Sequence, residues 1–312
     1  MKIGVIGAGA WGKNLVNNFA EMGVLVAVAD EVAANRDWVV EKHSGAQVFE
    51  DSEALLNAEL DAVAIATPPH THCAIALAAM EKGLDVFVEK PMTLDPAEAQ
   101  QMVAFAEEKG RILMVGHLLM YQPAIAFIKD YLAGGKLGKV YTMTQRRSKL
   151  GRVRAVENVL WSFGVHDVAV LLHLAGEAPN KVVGSGHEGI SEGVADDFHL
   201  HLTFPNGMVA NLHNSWLWPR VERELIVTGE KGILVFDELA SKVLLHQMTI
   251  DSGLNHQDEG VEVLFEGTSQ PLRLELTHFV KCCQERKTPI SNGQNGYEVV
   301  CVLQKAEGRE SA

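Results

Sequence analysis

Gly7, Gly9 and Gly12, spaced G-x-G-x-x-G, directly follow the short apolar run Lys2-Ile3-Gly4-Val5-Ile6. Strand, glycine turn and helix in that order suit a pyrophosphate. Gly7 permits the tight turn, Gly9 lets the backbone come close, and Gly12 lets the next helix pack on the strand. The amides opening that helix, expected from about Ala10 to Met22, then face the phosphates. A second apolar run, Val24 to Ala29, ends at Asp30, near the roughly 20-residue offset at which a carboxylate meets an adenosine ribose. Such a carboxylate accepts hydrogen bonds from a ribose diol and repels a 2'-phosphate. No Lys or Arg follows until Arg36 to reverse the field, so NAD is expected over NADP. Lys90, in Phe87-Val88-Glu89-Lys90-Pro91, comes after this whole half, where such a fold presents a substrate. Redox chemistry is the expectation.

The elements that must hold these residues alternate. Strands at 62–66, 84–88 and 112–115 interleave with helices near 72–82 and 95–109. This predicts an α/β fold with a doubly wound parallel sheet of Rossmann type over residues 1–120. After a helix from Pro123 to Leu132 the texture changes, with short strands at 140–147, 181–186, 198–204, 208–215, 222–228, 232–236 and 243–246. Turns such as Pro205-Asn206-Gly207 and Gly229-Glu230-Lys231-Gly232 punctuate them, which predicts a largely antiparallel open sheet. Helices near 272–285 and 297–306 complete a C-terminal α+β domain over residues 121–312.

Composition agrees with two cores. The 312 residues exceed the usual single-domain size, and a 47% hydrophobic content supplies apolar surface for both. A net charge of -13 argues against a nucleic-acid or anionic-membrane partner. No apolar run reaches the roughly 18 residues that span a bilayer, and residues 1–9 read as strand and turn rather than a signal peptide, so a cytoplasmic location is expected. Cys73, Cys282, Cys283 and Cys301 lack C-x-x-C spacing and read as reduced thiols. His70 with His72 and His199 with His201 are the histidine pairs closest to metal-ligand spacing. Neither has a third ligand at recognisable spacing, so no metal is expected.

Taken together, the chain resembles the oxidoreductase family typified by glucose-fructose oxidoreductase, inositol dehydrogenase and the rhizopine-catabolism protein. The resemblance covers essentially the whole chain. It rests on the glycine motif, on Ala66-Thr67-Pro68-Pro69-His70-Thr71-His72, on Glu89-Lys90-Pro91, and on Gly164-Val165-His166 entering a helix that reaches Leu174-Ala175-Gly176. In pattern it is similar to the members that oxidise nucleotide-linked sugars.

That resemblance implies roles. Lys90 is implied beside the reacting carbon and the nicotinamide, where a cation favours alkoxide character in the reacting hydroxyl while hydride leaves the adjacent carbon. His166 is implied as the general base, an imidazole that titrates near neutrality and takes the hydroxyl proton. Ala10, Trp11, Thr67, Pro68, His72 and Glu89 join Gly7, Gly9, Gly12, Asp30 and Lys90 around the cofactor. His117 and Tyr121 are expected to line a sugar pocket. Many members carry an aspartate four residues before the histidine; here that position is Ser162, which weakens a simple cyclitol substrate. Asp167 either orients the His166 imidazole and contacts substrate, or faces away on the helix.

Arg146, Arg147, Lys149, Arg152 and Arg154 crowd nine residues of an acidic chain. Such a cluster can clamp a diphosphate or carboxylate bidentately, with Arg152 and Arg154 nearest the substrate, or form a solvated loop or a contact to an acidic neighbour. With it, the resemblance points to a UDP-linked N-acetylhexosamine or its uronic acid, oxidised at carbon 3. The alternatives are a free sugar or polyol, and a cofactor-binding regulator without turnover, as in the yeast galactose repressor. Alternating polar and apolar residues in Phe198-His199-Leu200-His201-Leu202-Thr203 leave one sheet face open. The family uses that face between subunits, so a homodimer or homotetramer is expected.

Overall fold

The computed structural model describes residues 1–151, 153–155, 157–267 and 270–308. The chain divides into two compact units, Met1–Leu118 with Leu272–Val300, and Leu119–Pro271 with Cys301–Ala312.

In the first unit strands and helices alternate: β1 (Ile3–Ile6), α1 (Gly12–Glu21), β2 (Leu25–Ala29), α2 (Ala33–Lys42), β3 (Gln47–Phe49), α3 (Ser52–Leu56), β4 (Ala62–Ile65), α4 (His72–Glu81), β5 (Asp85–Glu89), α5 (Pro96–Lys109) and β6 (Leu113–Gly116). The strands pair in parallel in the order β3-β2-β1-β4-β5-β6. Every residue of β1, β4, β5 and β6 is buried, because helices cover both faces of a parallel sheet, so its central strands read as unbroken apolar runs. Strand order reverses between β1 and β4, and the carboxyl ends of those strands open the crevice where ligands of such sheets bind. The short pieces α2, β3 and α3 had no sequence expectation. In α2 only Val39 is buried, and β3 is a three-residue edge strand, so neither carries a periodic apolar stripe.

In the second unit α6 (Pro123–Ala133) and β7 (Val140–Ser148) lead to α7 (Val165–Ala175). There follow β8 (Lys181–His187), β9 (Asp197–Thr203), β10 (Val209–Ser215), β11 (Glu222–Gly229), β12 (Gly232–Asp237), β13 (Lys242–Ile250) and β14 (His256–Glu266). They form a sheet ordered β14-β13-β12-β11-β7-β10-β9-β8. Every pairing is antiparallel except β7 with β10. Along β7, β9 and β10 alternate residues are buried, and α7 lies over β7 and β10 on that side. Strand β14 was not expected: its mostly exposed run His256-Gln257-Asp258-Glu259-Gly260 lacks alternation, and its pairing with β13 defines it.

The chain closes with α8 (Pro271–Glu285) and α9 (Gly293–Ala306). Leu272–Val300 belongs to the first unit, which two consecutive stretches of sequence did not foresee. Its attachments are long-range ones. The Phe279 ring meets Phe87 edge-on at 5.7 Å, Arg286 donates to Asp85 Oδ2 at 2.5 Å and to the Gly110 carbonyl at 2.8 Å, and Ser291 Oγ donates to the Val115 carbonyl at 2.6 Å. Among the described residues no helix is long and apolar enough to cross a membrane. The four cysteines are free thiols.

Candidate active site

The glycine loop leaves β1 with Gly7 at φ +94°, where a Cβ would lie 2.7 Å from the Ala66 carbonyl oxygen. A Cβ on Gly12 would collide with the Gly7 carbonyl at 2.0 Å, whereas one on Gly9 would meet nothing within 4 Å. Two glycines are therefore forced by packing and strain, and the third faces open space. Helix α1 begins without a side-chain cap and with no acidic residue in its first turn, which leaves its first amides to an anion. At the end of β2, Asp30 Oδ2 accepts the Ala8 amide at 2.6 Å, and Oδ1 accepts Val32 N at 2.8 Å and Asn35 Nδ2 at 3.1 Å. The carboxylate thus also ties the loop to β2. Arg36 donates to the Asp30 and Glu31 carbonyls and pairs with Glu50, so its guanidinium is already engaged. An open Gly9, uncapped amides and an acidic strand end fit the pyrophosphate and ribose of NAD.

Strand β5 delivers the next group. Glu89 is buried, its Oε1 accepting the indole N–H of Trp11 at 2.5 Å and its Oε2 the Lys90 amide at 3.2 Å. Burial pushes its pKa up to about 7, with Trp11 and Lys90 pulling it back. Lys90, half-buried, begins the turn that leaves the strand through a cis Lys90-Pro91 bond. Beside it His117 follows β6 and is 1% exposed. Burial first, then the Lys90 charge, drive the imidazole down to about 3 and keep it neutral. Among the described residues neither of its ring nitrogens has a hydrogen-bond partner.

Glu275 on α8 was missed from sequence. It is fully buried, and burial together with the Glu89 charge holds its pKa well above the usual carboxylate range. The available signal was a carboxyl inside the apolar stripe Leu272, Leu276, Phe279 and Val280.

Thr67 and Pro68 sit where β4 ends, and Thr67 Oγ1 lies 2.6 Å from Thr71 Oγ1. His72, expected at the nicotinamide side, lies beneath the turn that follows β4. Its side chain is buried, with Nε2 2.9 Å from the Thr67 carbonyl and Nδ1 3.1 Å from that of Pro91. It braces the turn after β4 against the turn after Lys90, because a helix-first residue under two converging loops is closed over by their backbone.

The second unit holds the other candidates. A π-helical turn, Leu160–Gly164, precedes α7, and His166 follows in its first turn, half-buried. Tyr121 is buried, 8% exposed. Asp167 is fully buried: Oδ1 accepts Arg147 Nε at 2.8 Å and Gln145 Nε2 at 3.2 Å, and Oδ2 accepts Asn214 Nδ2 at 2.9 Å. Neighbours on a helix diverge by about 100°, and this carboxylate faces the sheet, the second of the two orientations that the sequence left open. Sequence reasoning missed Gln145 and Asn214, which become its partners only when β7 and β10 pair.

The basic stretch also divides. Consecutive residues of β7 point to opposite faces, so Arg147 is buried against Asp167 and Glu238, whereas Arg146 pairs with Glu222 at 3.0 Å and lies over the Trp218 ring. Burial alone would lower the Arg147 pKa, but its two carboxylate partners more than offset that and hold it above the usual arginine range. Arg154 is exposed and paired with Glu157, and Arg152 lies outside the described residues.

Comparison with known proteins agrees with this architecture. Residues 1–117 match the model of the GFO/IDH/MocA oxidoreductase family, NAD-binding Rossmann fold, and residues 125–235 match the GFO/IDH/MocA C-terminal domain. The UDP-N-acetylglucosamine 3-dehydrogenase of Acidithiobacillus ferrooxidans is 35% identical over 304 residues, 96% of this chain and 94% of that protein. Its solved structure superposes with a TM-score of 0.88, covering 99% of this chain and 97% of that one, at 28% identity in the structural alignment. The NAD(+)-dependent scyllo-inositol 2-dehydrogenase of Bacillus subtilis is 27% identical over 93% of this chain and 88% of its own length. The chain belongs to the GFO/IDH/MocA family and is an NAD-binding oxidoreductase.

Proposed function

We propose that this chain is a dehydrogenase that oxidises a hydroxyl of a nucleotide-linked sugar, carbon 3 of a UDP-N-acetylhexosamine or its uronic acid. NAD, when bound, supplies the acceptor for the hydride that leaves that carbon. The Lys90 ammonium stabilises the oxygen as its proton departs, His166 takes that proton, and the product is the ketone. Neutral His117 gives and accepts hydrogen bonds with sugar hydroxyls. The cofactor contacts are those of Gly7, Gly9, Ala10, Trp11, Gly12, Asp30, Thr67, Pro68, Glu89 and Lys90. Tyr121, Arg152 and Arg154 serve the substrate. Association through the open sheet face, as a dimer or tetramer, belongs to the same proposal.

The observation that carries it is His117: an imidazole 1% exposed, beside a lysine, with neither nitrogen partnered among the described residues. Buried polar atoms are normally satisfied, so such a ring is a site for a hydroxylated ligand. The nucleotide is supported by the relative that oxidises UDP-N-acetylglucosamine, with which this chain shares 35% identity. A free polyol is the second reading. It is favoured by the pairing of Arg146 with Glu222 and of Arg147 with Asp167 and Glu238, which leaves less of the basic stretch for a diphosphate.

The test is absorbance of the reduced nicotinamide across UDP-sugars, free sugars and cyclitols, with Lys90→Ala as the blank. Turnover is expected with a UDP-hexosamine, falling at least about a hundredfold in the variant. Reduction by free sugars or cyclitols alone would move the assignment to the second reading. NAD binding without reduction by any of them would make the chain a regulator.

A further inference from the structure

The open face of the eight-stranded sheet carries a cluster that dehydrogenation does not use. Asp197 and His199 are two apart on β9 and so share a face, and His213 on β10 is the direct cross-strand partner of His199. His213 Nε2 lies 3.1 Å from Asp197 Oδ2, and His199 Nε2 lies 3.6 Å from Asp197 Oδ1. The two imidazoles stack with centroids 4.1 Å apart and 6° between their planes. One candidate ligand atom from each residue falls within 4.8 Å of the other two, the single such group among the described residues.

We propose that Asp197, His199 and His213 form a binding site for a divalent transition ion of the zinc class. Ligand atoms about a tetrahedral zinc with bonds near 2.1 Å are about 3.4 Å apart, and the two carboxylate–imidazole separations bracket that figure. The remaining separation closes by rotation of His199, whose side chain is 65% exposed, while His213, 11% exposed, is held by the edge of Trp218 at 5.2 Å. Two imidazoles and a single carboxylate suit Zn2+, Co2+ or Ni2+, whereas Mg2+ and Ca2+ call for oxygen-rich shells. Three protein ligands leave a fourth position, on the face assigned above to association, for water or for a donor from a second copy. The nearby cation, Arg146, is paired with Glu222 at 3.0 Å, which offsets its repulsion of an ion.

This explains why histidine spacing along the chain led to the opposite expectation. His199 and His201 do share a face, but His201 Nδ1 is taken up by Asn211 Oδ1 at 2.8 Å. The third ligand lies on the neighbouring strand, fourteen positions further on, and only the antiparallel register places it there.

The test is titration of the chelator-stripped full chain with Co2+, read by its visible d–d band, and with Zn2+ against a chromophoric chelator. One equivalent per chain is expected. Asp197→Asn, His199→Gln and His213→Gln should each weaken Zn2+ at least about tenfold, since even supporting contacts to metal ligands are worth that much, and His201→Gln should not. Circular dichroism confirms that each variant is folded. Wild-type binding no tighter than that of the triple variant would overturn the proposal, as would full affinity in any of the three single variants. None of these readouts depends on dehydrogenase turnover.

Discussion

Arg147 Nε donates to Asp167 Oδ1 at 2.8 Å, so a side chain of β7 holds the first turn of α7 against the sheet, one residue after His166. Glu238 takes the far side of the same guanidinium, Oε2 accepting from Arg147 Nη2 at 2.7 Å, and Asn214 secures the other carboxylate oxygen of Asp167 at 2.9 Å. Asp167 is thus a positioning residue for the helix that carries the candidate base.

Removing Arg147 strands the fully buried Asp167 carboxylate without a cation, which costs about 3–5 kcal/mol, whereas removing Asp167 leaves Arg147 paired with Glu238 and costs about 1–3 kcal/mol for the buried donors left unsatisfied. Arg147→Met and Asp167→Ala are expected to lose stability by those respective amounts in urea unfolding. The double variant Arg147→Met with Asp167→Leu should recover part of it, because a matched apolar pair strands one charge fewer. Single variants within about 1 kcal/mol of wild type would remove the network from the account of this fold.

Glu89 gives a pH dependence with a definite sign. Its folded pKa is raised from the ordinary 4.5 to about 7 by burial, against the pull of Trp11 and Lys90. A carboxyl raised in this way contributes stability that is fully present below about 4.5 and is lost as pH rises through about 7. Glu89→Gln does not ionise, so its stability relative to wild type should climb across that window by at most about 3 kcal/mol, at 1.36 kcal/mol per pH unit. Thermal unfolding of cofactor-free protein at a series of pH values measures the difference. A flat difference would mean that Glu89 stays ionised.

His117→Phe separates binding from folding. The imidazole forms no hydrogen bond with the described residues, so an apolar ring of similar size should hold stability within about 1 kcal/mol or raise it. The KM for the sugar should rise at least about tenfold, equivalent to one lost hydrogen bond of about 1.4 kcal/mol, while NAD affinity stays unchanged. Steady-state kinetics with calorimetric NAD titration test this. A large drop in stability with an unchanged KM would show that His117 is a core residue.

Much of the nucleotide-binding half was legible because its signals are local. Gly7 and Gly12 are required by backbone geometry within one turn, Gly9 lies open between them, and Asp30 follows at the end of the very next strand. The apolar runs of β4 and β6, and Val86-Phe87-Val88 within β5, likewise announce strands covered on both faces. Helix α2 and strands β3 and β14 were not legible, because they bury too little apolar surface to leave a periodic trace and depend on partners for their existence.

By itself the sequence determined most of the alternating strands and helices, the glycine turn of the dinucleotide-binding half, and that Lys90 directly follows a buried strand. These follow from the turn, the side-chain period and the hydrophobicity of a few consecutive residues. Only the tertiary structure decided that Arg147 rather than Arg146 takes the buried face of β7, that Asp167 turns to the sheet, that His72 is enclosed by carbonyls, and that His199 meets His213. Each of those outcomes depends on strand register and on burial against residues remote in the chain, and charge or spacing along one segment carries no record of either.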